Sequence, residues 1–285
     1  MFAPLPARVA AALDDPRPDP GRRFTTSANG IPFSALDWGD SNGRPLALVH
    51  GLGSSARNWW RVGPALATTG RRVIAPDLPG HGQTGHWAGH HRFRDNALDL
   101  AAWIRAAGLD GPDLQVVGHS WGGMTVAALP IAGIRPATLV LVDTVARPHA
   151  FMATVVDDPE ERPREDIDAT IRFLTPRNPA WSAGDIEAKA RSLHEVDLAA
   201  ARDILLENDW DGGLRDISDP AAAGLDIWLI RGDPAAGGLL PDAAVAAFAS
   251  QIGADHVLTI PGGHHSPMRN DPVGTTAALL TALGS

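Results

Sequence analysis

The feature that most constrains the fold is a regular alternation of short apolar runs with stretches of helical spacing. The apolar runs lie at residues 46–50, 72–76, 114–118, 137–142, 226–231 and 256–260. Because they are predominantly apolar and show no alternation of apolar and polar residues, they predict strands buried on both faces, as in a parallel sheet covered by helices. Two further segments flank Asn29-Gly30, a turn signal that predicts a β-hairpin at 23–38. The predicted fold is therefore α/β, a mostly parallel eight-stranded sheet flanked by helices.

The alternation stops between about residues 147 and 220. This stretch is rich in Asp, Glu, Arg and Pro, and residues 185–206 show helical spacing without a strand signal. It predicts a helical cap or lid at 147–222, inserted after the sixth strand. The sheet domain would then consist of two parts of the chain, 1–146 and 223–285.

Composition excludes several classes of protein. The chain has no cysteine, which removes disulfides, thiolate metal sites and cysteine nucleophiles, and no tyrosine, which removes phenolic proton donors. A net charge of −9 argues against nucleic acid or an anionic membrane as a partner. No apolar run approaches the roughly 20 residues that span a bilayer, and the N-terminus lacks the apolar core of a signal peptide. We expect a cytoplasmic protein, monomeric or homodimeric.

The strongest chemical signal is the segment Gly118-His119-Ser120-Trp121-Gly122. It follows a predicted strand and opens a predicted helix, which is the context of a nucleophile elbow. Such a tight turn needs glycine on both sides of the serine and lifts the hydroxyl above the edge of the sheet. The sequence therefore predicts Ser120 as a catalytic nucleophile.

A second signal, His50-Gly51-Leu52-Gly53, ends the first of the long predicted strands. A glycine-rich turn there can bring backbone N–H groups close to a ligand. We expect the N–H groups of Leu52 and Trp121 to form an oxyanion hole, which would stabilise negative charge on a carbonyl oxygen under attack.

A serine nucleophile also needs a base and an acid that orients the base. The loop after the last strand offers two histidines, His264 and His265. Asp233 follows the strand 226–231 and is the preferred orienting acid, while Asp143, which ends the strand 137–142, is the alternative. Asp143 could instead serve only to cap the turn into the insert.

Together these motifs resemble the α/β-hydrolase family, in its capped, serine-nucleophile branch of esterases and lactonases. The C-terminal pattern of that family commonly reads P-G-A-G-H, with an acidic-Pro pair seven residues on. Asp271-Pro272 fits this register when the catalytic histidine is His265. His264 departs from the pattern, because a glycine is usual there.

The resemblance implies a hydrolase of carboxylic esters or lactones that works through an acyl-enzyme, with no cofactor and no metal. Ser120 argues against relatives that use aspartate as nucleophile, the dehalogenases and epoxide hydrolases. Cleavage of C–C, thioester or amide bonds remains open, as do lyase, oxygenase or ligand-binding roles on the same fold. Four histidines at 81, 86, 90 and 91 cluster in sequence, but without the regular spacing of a zinc motif.

The aromatic residues suggest the nature of the substrate. The chain has nine tryptophans against seven phenylalanines, and several lie near the predicted site. The predicted pocket residues are Trp59, Trp60, Met124, Trp181 and Trp210, with the side chain of Trp121 as a further candidate. Such a lining predicts a small apolar or aromatic acyl substrate.

Overall fold

An eight-stranded sheet organises the chain, of which the computed structural model describes residues 2–15, 17–85 and 91–284. The strands are β1 (Arg22–Ala28), β2 (Ile31–Trp38), β3 (Arg44–Val49), β4 (Arg71–Pro76), β5 (Gln115–His119), β6 (Thr138–Val142), β7 (Asp226–Arg231) and β8 (Val257–Thr259). The helices are α1 (Ala7–Leu13), α2 (Val62–Ala67), α3 (Phe93–Ala106), α4 (Trp121–Ala127), α5 (His149–Val155), α6 (Ile167–Leu174), α7 (Ala183–His194), α8 (Leu198–Glu207), α9 (Leu214–Ile217), α10 (Asp242–Ile252), α11 (Pro267–Asn270) and α12 (Pro272–Leu283).

The sheet has the strand order β1-β2-β4-β3-β5-β6-β7-β8. Strand β2 pairs antiparallel with both β1 and β4, and every other pair is parallel. Asn29 and Gly30 join β1 to β2 with φ of 48° and 76°, the left-handed conformations that a two-residue hairpin turn requires. The predicted mostly parallel, eight-stranded α/β fold is confirmed.

Helices cover the sheet on both sides, which explains why its central parallel strands are predominantly apolar. Val116 of β5 packs in one apolar layer, and its neighbour Val117 packs in the other. Successive side chains of a strand point to opposite faces, so a strand covered on both faces needs apolar residues throughout. The first layer includes side chains of α3 and α4, and the second includes those of α1, α2 and α12.

Helices α5 to α9 lie between β6 and β7, where the sequence predicts a cap. The expected helical stretch at 185–206 is divided in two, because Asp197 starts a new helix by accepting hydrogen bonds from Ala199 N and Ala200 N. A small apolar cluster that includes Leu174 and Leu193 joins α6 to α7. The division of the chain at 146/147 and 222/223 into core and cap remains a prediction.

No helix in the described part of the chain combines the length and apolarity needed to cross a membrane.

Candidate active site

Ser120 lies at a sharp turn between β5 and α4. Its backbone has φ 54° and ψ −123°, which a non-glycine residue rarely adopts. Gly123 N and Met124 N donate to Ser120 O at 2.9 and 3.2 Å, so the helix begins at once. A Cβ on Gly118 would come within 2.5 Å of Gly122 O, which is why this turn needs glycine. The strand, turn and helix expected of a nucleophile elbow are all present.

His265 lies between Ser120 and a buried carboxylate. Its Nε2 is 2.9 Å from Ser120 Oγ, and its Nδ1 is 2.7 Å from Asp143 Oδ2. Because a carboxylate can only accept, Nδ1 carries the proton and Nε2 is left to accept the proton of the serine hydroxyl. The three side chains form one continuous hydrogen-bonded chain.

Asp143 is fully buried and well satisfied. Its oxygens also accept from Gly232 N and Leu239 N, each at 2.9 Å. Burial alone raises the pKa of this carboxyl, but the hydrogen bond and charge of His265, with the two N–H groups, outweigh it and lower the pKa. Asp143 is therefore a carboxylate at neutral pH, held in fixed orientation toward His265.

The preference for Asp233 as the orienting acid is corrected by this geometry. Asp233 Oδ1 accepts from Ala235 N at 2.9 Å and caps a 3-10 turn, while Oδ2 accepts from Gly262 N at 3.1 Å. These hydrogen bonds, that to Gly262 N foremost, lower the pKa of the Asp233 carboxyl. Its carboxylate thus holds the loop that contains Gly262 and His265, and it does not contact the imidazole of His265.

The choice between the two histidines follows the same geometry: His265 reaches Ser120, and His264 is exposed to solvent.

Sequence reasoning overlooked His119, although it lies within the elbow motif. His119 Nε2 donates to the backbone oxygen of His265 at 2.7 Å. Burial lowers the pKa of His119 to about 3, so this imidazole is neutral and holds the loop of His265 as a hydrogen-bond donor.

Two buried histidines hold the loop that contains Leu52. His50 Nδ1 donates to Gly51 O at 2.8 Å while its Nε2 accepts from Leu78 N at 3.0 Å. His81 Nε2 accepts from Gly53 N at 3.4 Å. Burial lowers the pKa of both imidazoles, that of His81 to about 3. Both rings are neutral, as these donor and acceptor roles require.

The loop passes directly against the elbow, since a Cβ on Gly51 would lie 3.0 Å from Ser120 Cβ. Trp121 is the first residue of α4, and the N–H of a first helical residue has no acceptor within its helix. An oxyanion hole formed by the N–H groups of Leu52 and Trp121 remains a prediction that suits this placement.

A cavity of about 550 Å³ opens above Ser120 and His265. Its volume is that of a site for a small organic molecule. Side chains of the helical insert supply most of the apolar wall: Phe151, Met152, Val155, Val156, Leu174, Trp181, Val196, Leu198, Leu205 and Trp210. Two of the predicted pocket residues, Trp181 and Trp210, therefore line this cavity.

The other predicted pocket residues do not line it. Trp59 is fully buried in the second apolar layer, and Met124 is buried in the first. Trp60 donates from Nε1 to Asp185 Oδ1 at 2.8 Å and so ties the insert to the core. The Trp121 side chain is fully buried and stacks on His81, with ring centroids 4.9 Å apart. These residues therefore pack in the apolar layers or link the insert to the core, and they do not form the cavity wall.

The histidine cluster at 81–91 is only partly visible, because His86 and His90 lie outside the described residues. His81 supports the loop of Leu52, and His91 Nε2 lies 3.7 Å from Asp203 Oδ2. Within residues 2–15, 17–85 and 91–284, no group of three or more acidic or histidine side chains could hold a metal ion.

Comparison with known proteins identifies the family. A family model described as the alpha/beta hydrolase fold matches residues 44–224, and the chain belongs to this family. The structure of E-2-(acetamidomethylene)succinate hydrolase superposes with a TM-score of 0.75 over 93% of this chain and 99% of that one. Identity between the two is 20%, so this likeness shows the fold alone.

Two curated relatives match part of the chain. The dihydrolipoyllysine-residue acetyltransferase component of the acetoin cleaving system of Pseudomonas putida is 38% identical over 114 residues, 39% of this chain and 29% of that protein. The non-heme haloperoxidase of Rhodococcus erythropolis is 36% identical over 148 residues, 51% of each. The chain thus spans about half, or less, of the length of these relatives.

Proposed function

We propose that this chain is a cofactor-free serine hydrolase that cleaves a carboxylic ester or lactone through an acyl-enzyme. The observation that carries the proposal is the continuous hydrogen-bonded chain Ser120–His265–Asp143, at 2.9 and 2.7 Å, on the wall of an apolar cavity. In this proposal Asp143, in place of Asp233, orients the base.

The first half-reaction forms the acyl-enzyme. Ser120 Oγ attacks the carbonyl carbon while its proton passes to His265 Nε2, and Asp143 stabilises the imidazolium that results. The N–H groups of Leu52 and Trp121 stabilise the negative charge on the carbonyl oxygen. His265 then gives its proton to the leaving oxygen; the alcohol of an ester departs, whereas the new hydroxyl of a lactone stays attached to the acyl chain.

Water completes the cycle. His265 takes a proton from water, which attacks the acyl carbon, and the proton then passes to Ser120 Oγ as the acid is released. The largely apolar wall favours an apolar acyl group or leaving group. The relatives named above, an acetyltransferase component and a haloperoxidase, differ in their chemistry, so they do not select the bond that is cleaved.

A substrate panel tests this proposal. Esters, lactones, thioesters, amides and diketones of similar size are offered to the wild-type protein and to Ser120→Ala. We expect turnover of esters or lactones that is lost in Ser120→Ala. Turnover confined to amides, thioesters or diketones would move the proposal to another bond, and turnover that survives Ser120→Ala would end it.

A further inference from the structure

The cavity contains a buried positive charge that the hydrolytic mechanism does not use. Arg269 of α11 follows His265 by four residues, lines the cavity and is only 5% exposed. Its guanidinium has one hydrogen bond to another described residue, from Nη2 to Ser54 Oγ at 3.3 Å. No Asp or Glu in the described part of the chain forms an ion pair with it.

The two carboxylates whose charges act on this guanidinium, those of Glu161 and Asp185, already have partners. Glu161 Oε2 lies 2.6 Å from Lys189 Nζ, which also donates to Gly53 O at 3.1 Å. Asp185 accepts from Trp60 Nε1 and from Ser182 Oγ. Glu161 and Asp185 therefore act on Arg269 only at longer range, and burial outweighs them, so the pKa of the guanidinium is lowered. Arginine nevertheless remains charged in proteins.

A buried charge without a partner is unfavourable in the free protein, and a ligand of opposite charge removes that cost. Trp181 covers one face of the guanidinium, with Cζ 4.6 Å from the ring centroid. A stacked guanidinium keeps its N–H groups free at the edge, where they match the two oxygens of a carboxylate. Ser54, Arg269 and Ser120 all line the same cavity, so a substrate bound there lies beside this guanidinium.

We propose that Arg269 binds a carboxylate carried by the substrate, so that the preferred substrate is an ester with an apolar body and one free carboxylate. This inference rests on the proposed hydrolase function, and it identifies the substrate class. The carboxylate belongs either to the acyl part, as in a half-ester of a dicarboxylic acid, or to the leaving group, as in an ester of a hydroxybenzoic acid.

The test uses two pairs of esters. For the acyl part, the mono-4-nitrophenyl ester of glutaric acid is compared with 4-nitrophenyl pentanoate. For the leaving group, 4-carboxyphenyl pentanoate is compared with phenyl pentanoate. The ratio of kcat/KM for the charged ester to that for the neutral ester is measured in wild type, Arg269→Gln, Arg269→Lys and Arg191→Gln. The last variant removes an exposed charge on α7 and is the matched control.

We expect Arg269→Gln to lower the ratio in one of the two pairs roughly 10- to 100-fold, the size expected for loss of a charge-assisted hydrogen-bonded pair. Arg269→Lys keeps the charge without the planar arrangement of N–H groups and should lower the ratio by a smaller factor. If Arg269→Gln does not fold, the ratio measured in Arg269→Lys tests the proposal. Arg191→Gln should keep the wild-type ratio. Wild-type ratios in both pairs for the Arg269 variants would overturn the proposal.

A binding measurement separates this inference from the proposed function. Glutarate and 4-hydroxybenzoate are titrated into Ser120→Ala, and into that variant combined with Arg269→Gln, with tryptophan fluorescence as the signal. We expect binding of at least one of them to weaken more than about 10-fold in the double variant. If no ester is hydrolysed but this difference appears, the carboxylate site stands and the hydrolase proposal fails. Equal affinities, or no binding to either, would contradict the carboxylate site.

Discussion

Ser120 and Asp143 occupy equivalent positions in the sheet: each is the first residue beyond one of two neighbouring parallel strands, and each has a positive φ. Ser120 follows β5 with φ 54°, and Asp143 follows β6 with φ 39°. Ser120 N donates to Val142 O at 2.9 Å, and Asp143 N donates to Ile230 O at 2.7 Å. Strained backbone at two adjoining strand ends turns both side chains toward His265, as expected where a site must be organised before substrate arrives.

The first prediction compares the two acids. Asp143→Asn should lower kcat about 10⁴-fold, because an amide can neither hold the required tautomer of His265 nor stabilise its charged form. Asp233→Asn is the matched control and should keep kcat within about tenfold, since the Asp233 carboxylate accepts hydrogen bonds from the backbone N–H groups of Ala235 and Gly262 and has none to His265. Steady-state kinetics on one ester decides, and a larger loss in Asp233→Asn would restore the acid expected from the sequence.

The second prediction compares the two adjacent histidines. His265→Ala should lower kcat more than about 1000-fold, because Ser120 then has no proton acceptor. His264→Ala should change kcat only a few-fold, since its side chain is exposed. Both variants are compared at equal folded fraction by circular dichroism. An active His265→Ala beside an inactive His264→Ala would show that the register derived from Asp271-Pro272 is wrong.

The third prediction concerns stability at low pH. His50, His81 and His119 are buried with lowered pKa values, so below about pH 6.5 the unfolded chain binds protons that the folded chain does not. The free energy of unfolding should therefore fall with pH, by about 1 kcal/mol each for His81 and His119 between pH 6.5 and 5.5, and His50 adds to the fall in the same direction. Urea unfolding measures this fall.

Two variants serve as controls for that pH dependence. His119→Gln should remove about 1 kcal/mol of the fall between pH 6.5 and 5.5, and His264→Gln, which replaces a histidine at an exposed position, is the comparison variant. A fall that is the same in wild type and His119→Gln would mean that the His119 imidazole is protonated in the folded protein.

The fourth prediction concerns the cavity wall. Phe151 of α5 lines the cavity and is 39% exposed, so Phe151→Ala should fold normally. Loss of its apolar surface should lower kcat/KM for an octanoyl ester about 5- to 10-fold relative to an acetyl ester. Leu98→Ala, at an exposed position of α3, is the control. Unchanged selectivity in Phe151→Ala would show that acyl chains bind elsewhere.

The sequence predicted the sheet well because its signals are local. Each buried parallel strand is a short, predominantly apolar run, and the Asn29-Gly30 turn and the Ser120 elbow depend on residues adjacent in sequence. Helix α1 was not predicted, because it is short and begins after Pro6 without a side-chain cap.

Local sequence does not show which aspartate orients His265, because that role depends on contacts between distant parts of the chain. Asp143 and His265 are 122 residues apart and meet only through the order of the strands. Both Asp143 and Asp233 follow strands of the same sheet, so local pattern does not separate them. The tryptophans show the same limit, since Trp59 follows the loop of Leu52 in sequence, yet its side chain is buried in the apolar layer behind it.

The central claim is that Ser120 is a nucleophile activated by His265. The most direct measurement is the reaction of wild type and Ser120→Ala with a fluorophosphonate, followed by intact mass and peptide mapping. The account predicts one adduct per wild-type chain, on the peptide that contains Ser120, and none in Ser120→Ala. An adduct on another residue with Ser120 unmodified, or no adduct on protein that hydrolyses esters, would contradict it.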